Sequence, residues 1–275
     1  MSGKLYVVGT PIGNLSDFSP RAAETLEKVD FIAAEDTRVT VKLLNHFGIK
    51  KEMLSYYEHN KNDRGGAIIE RILRGENCAV VSDAGMPAIS DPGEDLVRLA
   101  YENGIPVESV PGPSALVTAL AISGMPSGRF CFEGFLSMNK PSRREHLKEL
   151  VKEKRTMIFY EAPHKLPATL KDMLSFFGDR DIALVKELTK LHETVERTTL
   201  SAAAEFYGEN TPRGEYVIIV SGFDGEENEE YTLEDAVALA KELAAGGDSV
   251  SAAAREAAAQ SGIKKSDIYK ELIRG

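Results

Sequence analysis

The chain has 275 residues, of which 43% are hydrophobic and 28% charged, with a formal charge of −10 at neutral pH. That length allows one large or two ordinary domains with real cores, and the acidic balance excludes a general polyanion binder, whose affinity rests on clustered Lys and Arg. No run of about 18 apolar residues is present and the N-terminus leads straight into a strand pattern, so the expectation is a cytoplasmic protein with no membrane segment. Cys78 and Cys131 sit in separate apolar runs, which reads as core packing rather than a disulfide or a Cys-x-x-Cys metal site.

Lys4 to Gly9 reads as a first strand closed by Thr10-Pro11-Ile12-Gly13-Asn14, and Ser19 then caps a helix with Pro20 at its first position. Phe31 to Ala34 is a second strand ending in Glu35-Asp36-Thr37-Arg38, with a short helix to His46. A third strand over Met53 to Tyr57 precedes a helix from Arg64 to Leu73, and Cys78 to Ser82 is the fourth strand. The loop S-D-A-G-M-P-A-I-S-D-P-G over 82–93 opens a helix over 94–103, and Ile105 to Val110 is the fifth strand. Strands alternating with helices of this length predict a mostly parallel sheet covered on both faces.

Pro111-Gly112-Pro113 breaks the chain, and the nearly all-apolar helix from Ser114 to Ile122 is expected at the join of two domains. The second half alternates strands at 129–134, 156–160, 182–187, 194–198 and 215–221 with helices at 142–153, 164–177 and 201–207. Its adjacent strands predict a mixed sheet. Phe223 to Tyr231 reads as an acidic linker, followed by helices broken at Gly246-Gly247 and Gly262. Their layout fits a helix-turn-helix or a generic helical appendage. The expected organisation is an α/β domain over 1–116, a second α/β domain over 117–223, a linker over 224–231 and a helical region over 232–275.

The loops at 9–14, 35–38, 82–93 and 111–114 all follow strands of the first sheet and so fall on one edge, where ligands bind in open α/β sheets. The second half adds 159–164, 186–193 and 213–215. None carries a standard nucleotide motif: Gly9-x-x-x-Gly13 lacks Gly-Lys-Ser/Thr, and no G-x-G-x-x-G follows a strand. Ser82 is not in a G-x-S-x-G elbow, and the histidines lack zinc-site spacing, so no metal is expected. From Lys140 to Arg155 seven basic residues, among them Arg143 and Arg144, stand against three acidic ones. That run fits either a local anion-binding face or a solvated helix.

The ordered series G-T-P-I-G-N-L (9–15), A-E-D-T-R (34–38), S-D-A-G-M-P-A-I-S-D-P-G (82–93), V-P-G-P-S-A (110–115), E-G-F-L (133–136), F-Y-E-A-P-H (159–164) and E-L-T-K-L-H-E (187–193) resembles the small-subunit ribosomal RNA methyltransferase I family. That family is the ribose 2′-O-methyltransferase branch of the tetrapyrrole methylases. The resemblance covers about 1–222; Met86 and Lys165 depart from it, where Thr and Arg are more usual. It implies two α/β domains with S-adenosylmethionine in the cleft between them. The donor would lie against Pro11, Ser82, Asp83, Ala84, Gly85, Ala88, Ile89, Ser114, Ala115, Leu136, Tyr160 and Gly214.

The resemblance further implies a homodimer acting on a cytidine in the decoding region of 16S rRNA within the small ribosomal subunit, with no DNA or membrane partner. Methylating a ribose hydroxyl requires a group that removes its proton or lowers its pKa. Asp36, Glu187 and His192 stand as candidate bases, Lys186 as a further catalytic cation, and Arg38 and Lys190 as hydroxyl or phosphate binders. Lys61, Arg64, Arg143, Arg144, Lys264 and Lys265 complete the expected RNA contacts. Glu187 with Lys190 also fits an ordinary ion pair. Two alternatives remain at this stage: a C-methyltransferase of corrin or porphyrin precursors, and a non-catalytic ribosome assembly factor.

Overall fold

The computed structural model describes residues 2–225, 233–245, 249–261 and 263–274. Residues 1–223 and 224–275 form separate compact units. Most of the expected linker and the breaks at Gly246-Gly247 and Gly262 lie outside the described residues. Among the described residues no helix is long and apolar enough to cross a membrane.

The first sheet runs β1 (Leu5–Val8), β2 (Phe31–Ala34), β3 (Glu52–Ser55), β4 (Cys78–Val81) and β5 (Val107–Val110), in the order β3-β2-β4-β1-β5 with every pairing parallel. Strands β2 and β4 are buried at every residue, as parallel strands covered on both faces must be. The two-residue period sorts their side chains. Phe31, Ala33, Cys78 and Val80 pack with α3 (Lys61–Leu73) and α4 (Gly93–Glu102), while Ile32, Ala34, Ala79 and Val81 pack with α1 (Pro20–Lys28) and α2 (Thr37–His46). The Ser19 hydroxyl caps α1 by accepting the Ala22 N–H at 3.1 Å. Cys78 is fully buried in this core, and burial pushes its thiol pKa up.

The second sheet has the order β6-β7-β10-β8-β9, from β6 (Phe130–Phe135), β7 (Thr156–Glu161), β8 (Asp181–Lys186), β9 (Thr194–Thr199) and β10 (Tyr216–Val220). Only β6 and β7 pair in parallel; the remaining pairings are antiparallel. The sheet is therefore mixed, as the adjacent strands predict. One face carries α6 (Lys140–Glu149), α7 (Leu166–Phe177) and α8 (Leu200–Glu209) over Met157, Phe159, Leu184 and Ile218. The other face carries α5 (Ala115–Ser123), whose Leu116, Ala119 and Leu120 pack with Ile158, Val185, Val217 and Ile219. Ile12, from the loop after β1, joins that same cluster. The apolar helix thus belongs by its packing to the second sheet.

The second unit holds α9 (Leu233–Ala245), α10 (Val250–Ser261) and α11 (Lys265–Arg274) around buried Ala236, Ala240, Ala253, Ala254, Ala257 and Ile268. Small side chains let the helix backbones approach closely. Lys264 and Lys265 are exposed.

Candidate active site

Because β1, β2, β4 and β5 are parallel neighbours, the loops that follow them emerge at one edge. Backbone contacts lock these loops together. Thr10 and Gly85 exchange N–H···O bonds of 2.9 and 3.2 Å, and the buried Thr10 hydroxyl donates to the Ser82 carbonyl at 3.2 Å. Gly9 and Gly112 touch backbone to backbone: a Cβ on Gly9 would lie 2.6 Å from the Gly112 Cα. Gly85 has φ +92°, a conformation that L side chains rarely adopt.

Between this edge and the second sheet lies a cavity of about 520 Å3, within the range of small-molecule sites. The first sheet contributes Ile12, Glu35, Ser82 to Met86, Ile89 to Asp91, Ser114 and Ala115. From the second come Phe135, Tyr160 to Pro163, Val185, Leu188 and Glu215 to Val217. Of the residues expected to hold a methyl donor, Ser82, Asp83, Ala84, Gly85, Ile89, Ser114, Ala115 and Tyr160 line this cavity. Pro11, Ala88, Leu136 and Gly214 do not.

Leu136 is kept off this wall by a backbone irregularity. The pairing of β6 with β7 shifts register between Phe132 and Gly134, a β-bulge that resets the in–out alternation. Phe132 and Phe135 consequently both meet Tyr160, at ring separations of 4.9 and 5.4 Å. Leu136 turns to the opposite face and is 4% exposed within the α6–α8 core. The aromatic wall is therefore Phe135 and Tyr160, and the glycine of E-G-F-L was the signal for it. Pro11 is off the wall, which its neighbour Ile12 lines, while Gly214 packs against the Glu187 side chain, 2.6 Å from where a Cβ would stand. Ala88 turns its N–H to the Asp91 carboxylate at 3.0 Å.

The candidate bases are placed outside the cavity wall. Asp36 caps α2, accepting the Arg38 N–H at 2.8 Å, and its carboxylate grips the Arg38 guanidinium with bonds of 2.6 to 3.1 Å. Those bonds hold its pKa down at about 2. Glu187 accepts the Glu215 N–H at 3.0 Å and the Lys190 ammonium at 3.1 Å, which lower its pKa. Lys190 also reaches Glu215 at 2.8 Å; burial pulls its pKa down, but the two carboxylates outweigh that and raise it. His192 is exposed and Lys186 half-buried.

Glu35 and Asp83 behave differently. The Asp83 N–H donates to Glu35 Oε2 and the Asp36 N–H to Asp83 Oδ1, each at 3.1 Å. Burial raises the pKa of both carboxyls, against those N–H donors, and neighbouring carboxylates push the same way. Glu35 is thus a wall residue that sequence reasoning passed over, although it stands within A-E-D-T-R.

Of the expected RNA contacts, Arg38 is exposed at 88% of its side chain. Arg143 is instead tied to Asp172 at 2.7 Å with only 15% exposure, a partner 29 residues away that no local pattern announces. Arg144 lies 5.4 Å over the Phe176 ring.

The family model for tetrapyrrole (corrin/porphyrin) methylases matches residues 4–204. The ribosomal RNA small subunit methyltransferase I of Synechocystis sp. is 45% identical, covering 98% of this chain and 96% of its own length. That of Thermotoga maritima is 49% identical over 80% of this chain and 99% of its own length. Among solved structures, uroporphyrin-III C-methyltransferase from Thermus thermophilus, complexed with S-adenosyl homocysteine, matches 80% of this chain and 97% of that one with a TM-score of 0.55 at 19% identity, a likeness of fold. The chain belongs to the tetrapyrrole methylase family and, within it, to the ribosomal RNA small subunit methyltransferase I group.

Proposed function

We propose that this protein is an S-adenosylmethionine-dependent methyltransferase of the small-subunit ribosomal RNA, acting on the ribose 2′-hydroxyl of a cytidine in the decoding region. The observation that carries the rRNA methyltransferase reading is the 45% identity to a ribosomal RNA small subunit methyltransferase I over nearly the whole chain; the cytidine and its 2′-hydroxyl come from the motif resemblance. A corrin or porphyrin C-methyltransferase has only the fold in its favour, at 19% identity.

The cavity suits the donor chemically. Its apolar wall of Ile12, Met86, Ile89, Phe135, Tyr160 and Val217 fits a nucleoside, and Asp83 offers negative charge to an ammonium. Ser82 to Gly85, Ile89, Ser114, Ala115 and Tyr160 would hold it. When bound, it supplies an electrophilic methyl group. The protein's own tasks are to bring the hydroxyl in line, exclude water and take a proton.

In this reading Arg38 offers its exposed guanidinium to a phosphate, and Lys186, Glu187, Lys190 and His192 form a rim that orders the ribose. Arg144, Lys264 and Lys265 add weaker phosphate contacts. Exposed Val117 and Ile122 on α5 give a homodimer an apolar face, and a ribosomal substrate implies a cytoplasmic enzyme. Small subunits from a strain lacking the activity, incubated with protein and labelled S-adenosylmethionine, should gain one label on a cytidine ribose. Unlabelled rRNA beside an active control enzyme would refute the reading.

A further inference from the structure

The cavity-lining carboxylates differ in how completely their oxygens are used. Asp91 accepts the N–H groups of Ala88, Ile89 and Gly93 at 2.8 to 3.2 Å. Glu161, only 4% exposed, accepts the Ala162 N–H at 2.8 Å and the Thr169 hydroxyl at 2.5 Å. Glu215 is paired with Lys190. Asp83 is exposed and accepts the Asp36 N–H. Glu35 is half-buried, and among the described residues the one hydrogen bond to its carboxylate is the Asp83 N–H on Oε2. Among the described residues no donor reaches Oε1.

This oxygen therefore belongs to a carboxylate fixed in direction by the loop after β4 and held at the end of β2, where the Glu35 N–H bonds the Val81 carbonyl at 3.2 Å. Asp36, the next residue on the chain, is paired with Arg38 and does not line the cavity. A base must present an unoccupied lone pair to the reacting hydroxyl, and its basicity rises as water is withdrawn. Glu35 meets both requirements, and its raised pKa follows from the same burial.

We propose that Glu35 is the catalytic base, its Oε1 accepting the proton of the hydroxyl that is methylated. The inference rests on the methyl-transfer reading above. The O–H proton passes to Oε1 as an oxygen lone pair forms the new C–O bond. The electron pair of the broken C–S bond stays on sulfur, which goes from sulfonium to neutral thioether. Protonated Glu35 then returns its proton to water. The charge balance is complete without a metal or a redox partner.

The test uses the full-length protein with small ribosomal subunits under single-turnover conditions. Glu35→Gln preserves volume and the acceptor for the Asp83 N–H, so the loop keeps its anchor. It should slow methyl transfer by about 100-fold or more, the usual contribution of a general base. Calorimetry with S-adenosyl homocysteine should give an affinity within about threefold of wild type. The acid limb of the wild-type pH–rate profile should vanish in the variant, and carbon-13 NMR of the unliganded protein should show a Glu35 carboxyl titrating above the ordinary glutamate range. Asp83→Asn should cost less than tenfold in rate. A Glu35→Gln rate within about fivefold of wild type, a retained acid limb, or a loss of cofactor affinity equal to the loss of rate would each overturn the proposal. Wild type that labels no RNA would overturn the methyl-transfer reading and the proposal with it; an active wild type with an unimpaired variant overturns the proposal alone.

Discussion

Asp91→Ala is the sharpest probe of how the cavity wall is held. Ala88 and Ser90 are non-glycine residues at φ +67° and +64°, a conformation that costs about 1–2 kcal/mol each. The Asp91 carboxylate opposes that strain by accepting N–H groups from Ala88 at 3.0 Å, Ile89 at 3.2 Å and Gly93 at 2.8 Å. Hydrogen bonds to a charged acceptor contribute about 1.5–3 kcal/mol each, and part exposure of this loop brings the set to roughly 3–4 kcal/mol. The bonds thus roughly match the strain, and removing the carboxylate leaves that strain unopposed. The segment should relax, drawing Ile89 and Ser90 out of the wall. We expect S-adenosyl homocysteine affinity to fall about 10- to 100-fold, the equivalent of about 1.4–2.8 kcal/mol. Thermal stability should change little, because the loss is confined to local opening. Asp91→Asn keeps one acceptor oxygen and should fall between the two. Calorimetric affinity within about twofold of wild type for Asp91→Ala would refute the reasoning.

Glu35→Gln should raise the thermal midpoint at pH 7. Burial and neighbouring carboxylates raise the folded-state pKa of Glu35, so its contribution to stability is full below the unfolded pKa and lost as pH rises through the folded value; the gain should disappear near pH 4, and an equal gain at both pH values would exclude charge as its cause. Arg71→Lys should cost about 1–2 kcal/mol without touching activity. Arg71 bridges Glu52 at 2.6 Å and Glu76 at 2.5 Å with its guanidinium 3.9 Å over Phe31, at the sheet edge opposite the cavity, and urea unfolding beside a methylation assay checks both halves. Truncation after Phe223, which keeps the Phe223 N–H bond to the Glu153 carbonyl at 2.6 Å, should preserve cofactor affinity by calorimetry while slowing methylation of small subunits. Unchanged turnover would remove the second unit from substrate binding.

The alternation of strands and helices was legible because β1, β2 and β4 are short apolar runs followed within two residues by Gly or Asp, and β5 runs into Pro111. Parallel order and a shared loop edge follow from that pattern alone. Boundaries were less legible where a cap competes with hydrophobic periodicity. Helix α6 begins at Lys140 rather than Ser142, because the Asn139 side chain caps it, and it closes at Glu149 rather than Glu153. Half of the cavity was hidden for a different reason. Strands β8 and β10 are apolar on both faces, so nothing in their pattern tells that Val185 and Val217 face the cleft while Leu184 and Ile218 face α7. The bulge in β6 moved the wall from Leu136 to Phe135 by one residue. Ion pairs across long separations, such as Arg143 with Asp172, have no local signature at all.

Strain and uncompensated charge share one location in this molecule. Among the described residues, the non-glycine positions with positive φ are Ala88, Ser90, Glu187 and Thr189, all in the two loops that face each other across the cleft. The carboxyls of Glu35 and Asp83, raised by burial, stand beside the first of these loops, and the second buries a Thr189 hydroxyl without a partner. At the opposite edge of the first sheet Arg71 has every reason to be stable, with both carboxylates and a ring in place. A chain free to optimise its fold would replace Thr189 with a residue suited to a left-handed backbone and Glu35 with a neutral one. Both replacements should add stability. That they are absent at the cleft, while the far edge is well satisfied, is what a site shaped for a cationic ligand and a proton acceptor requires, since a bound ligand returns part of the strain as binding free energy only if the strained geometry is the one that fits it.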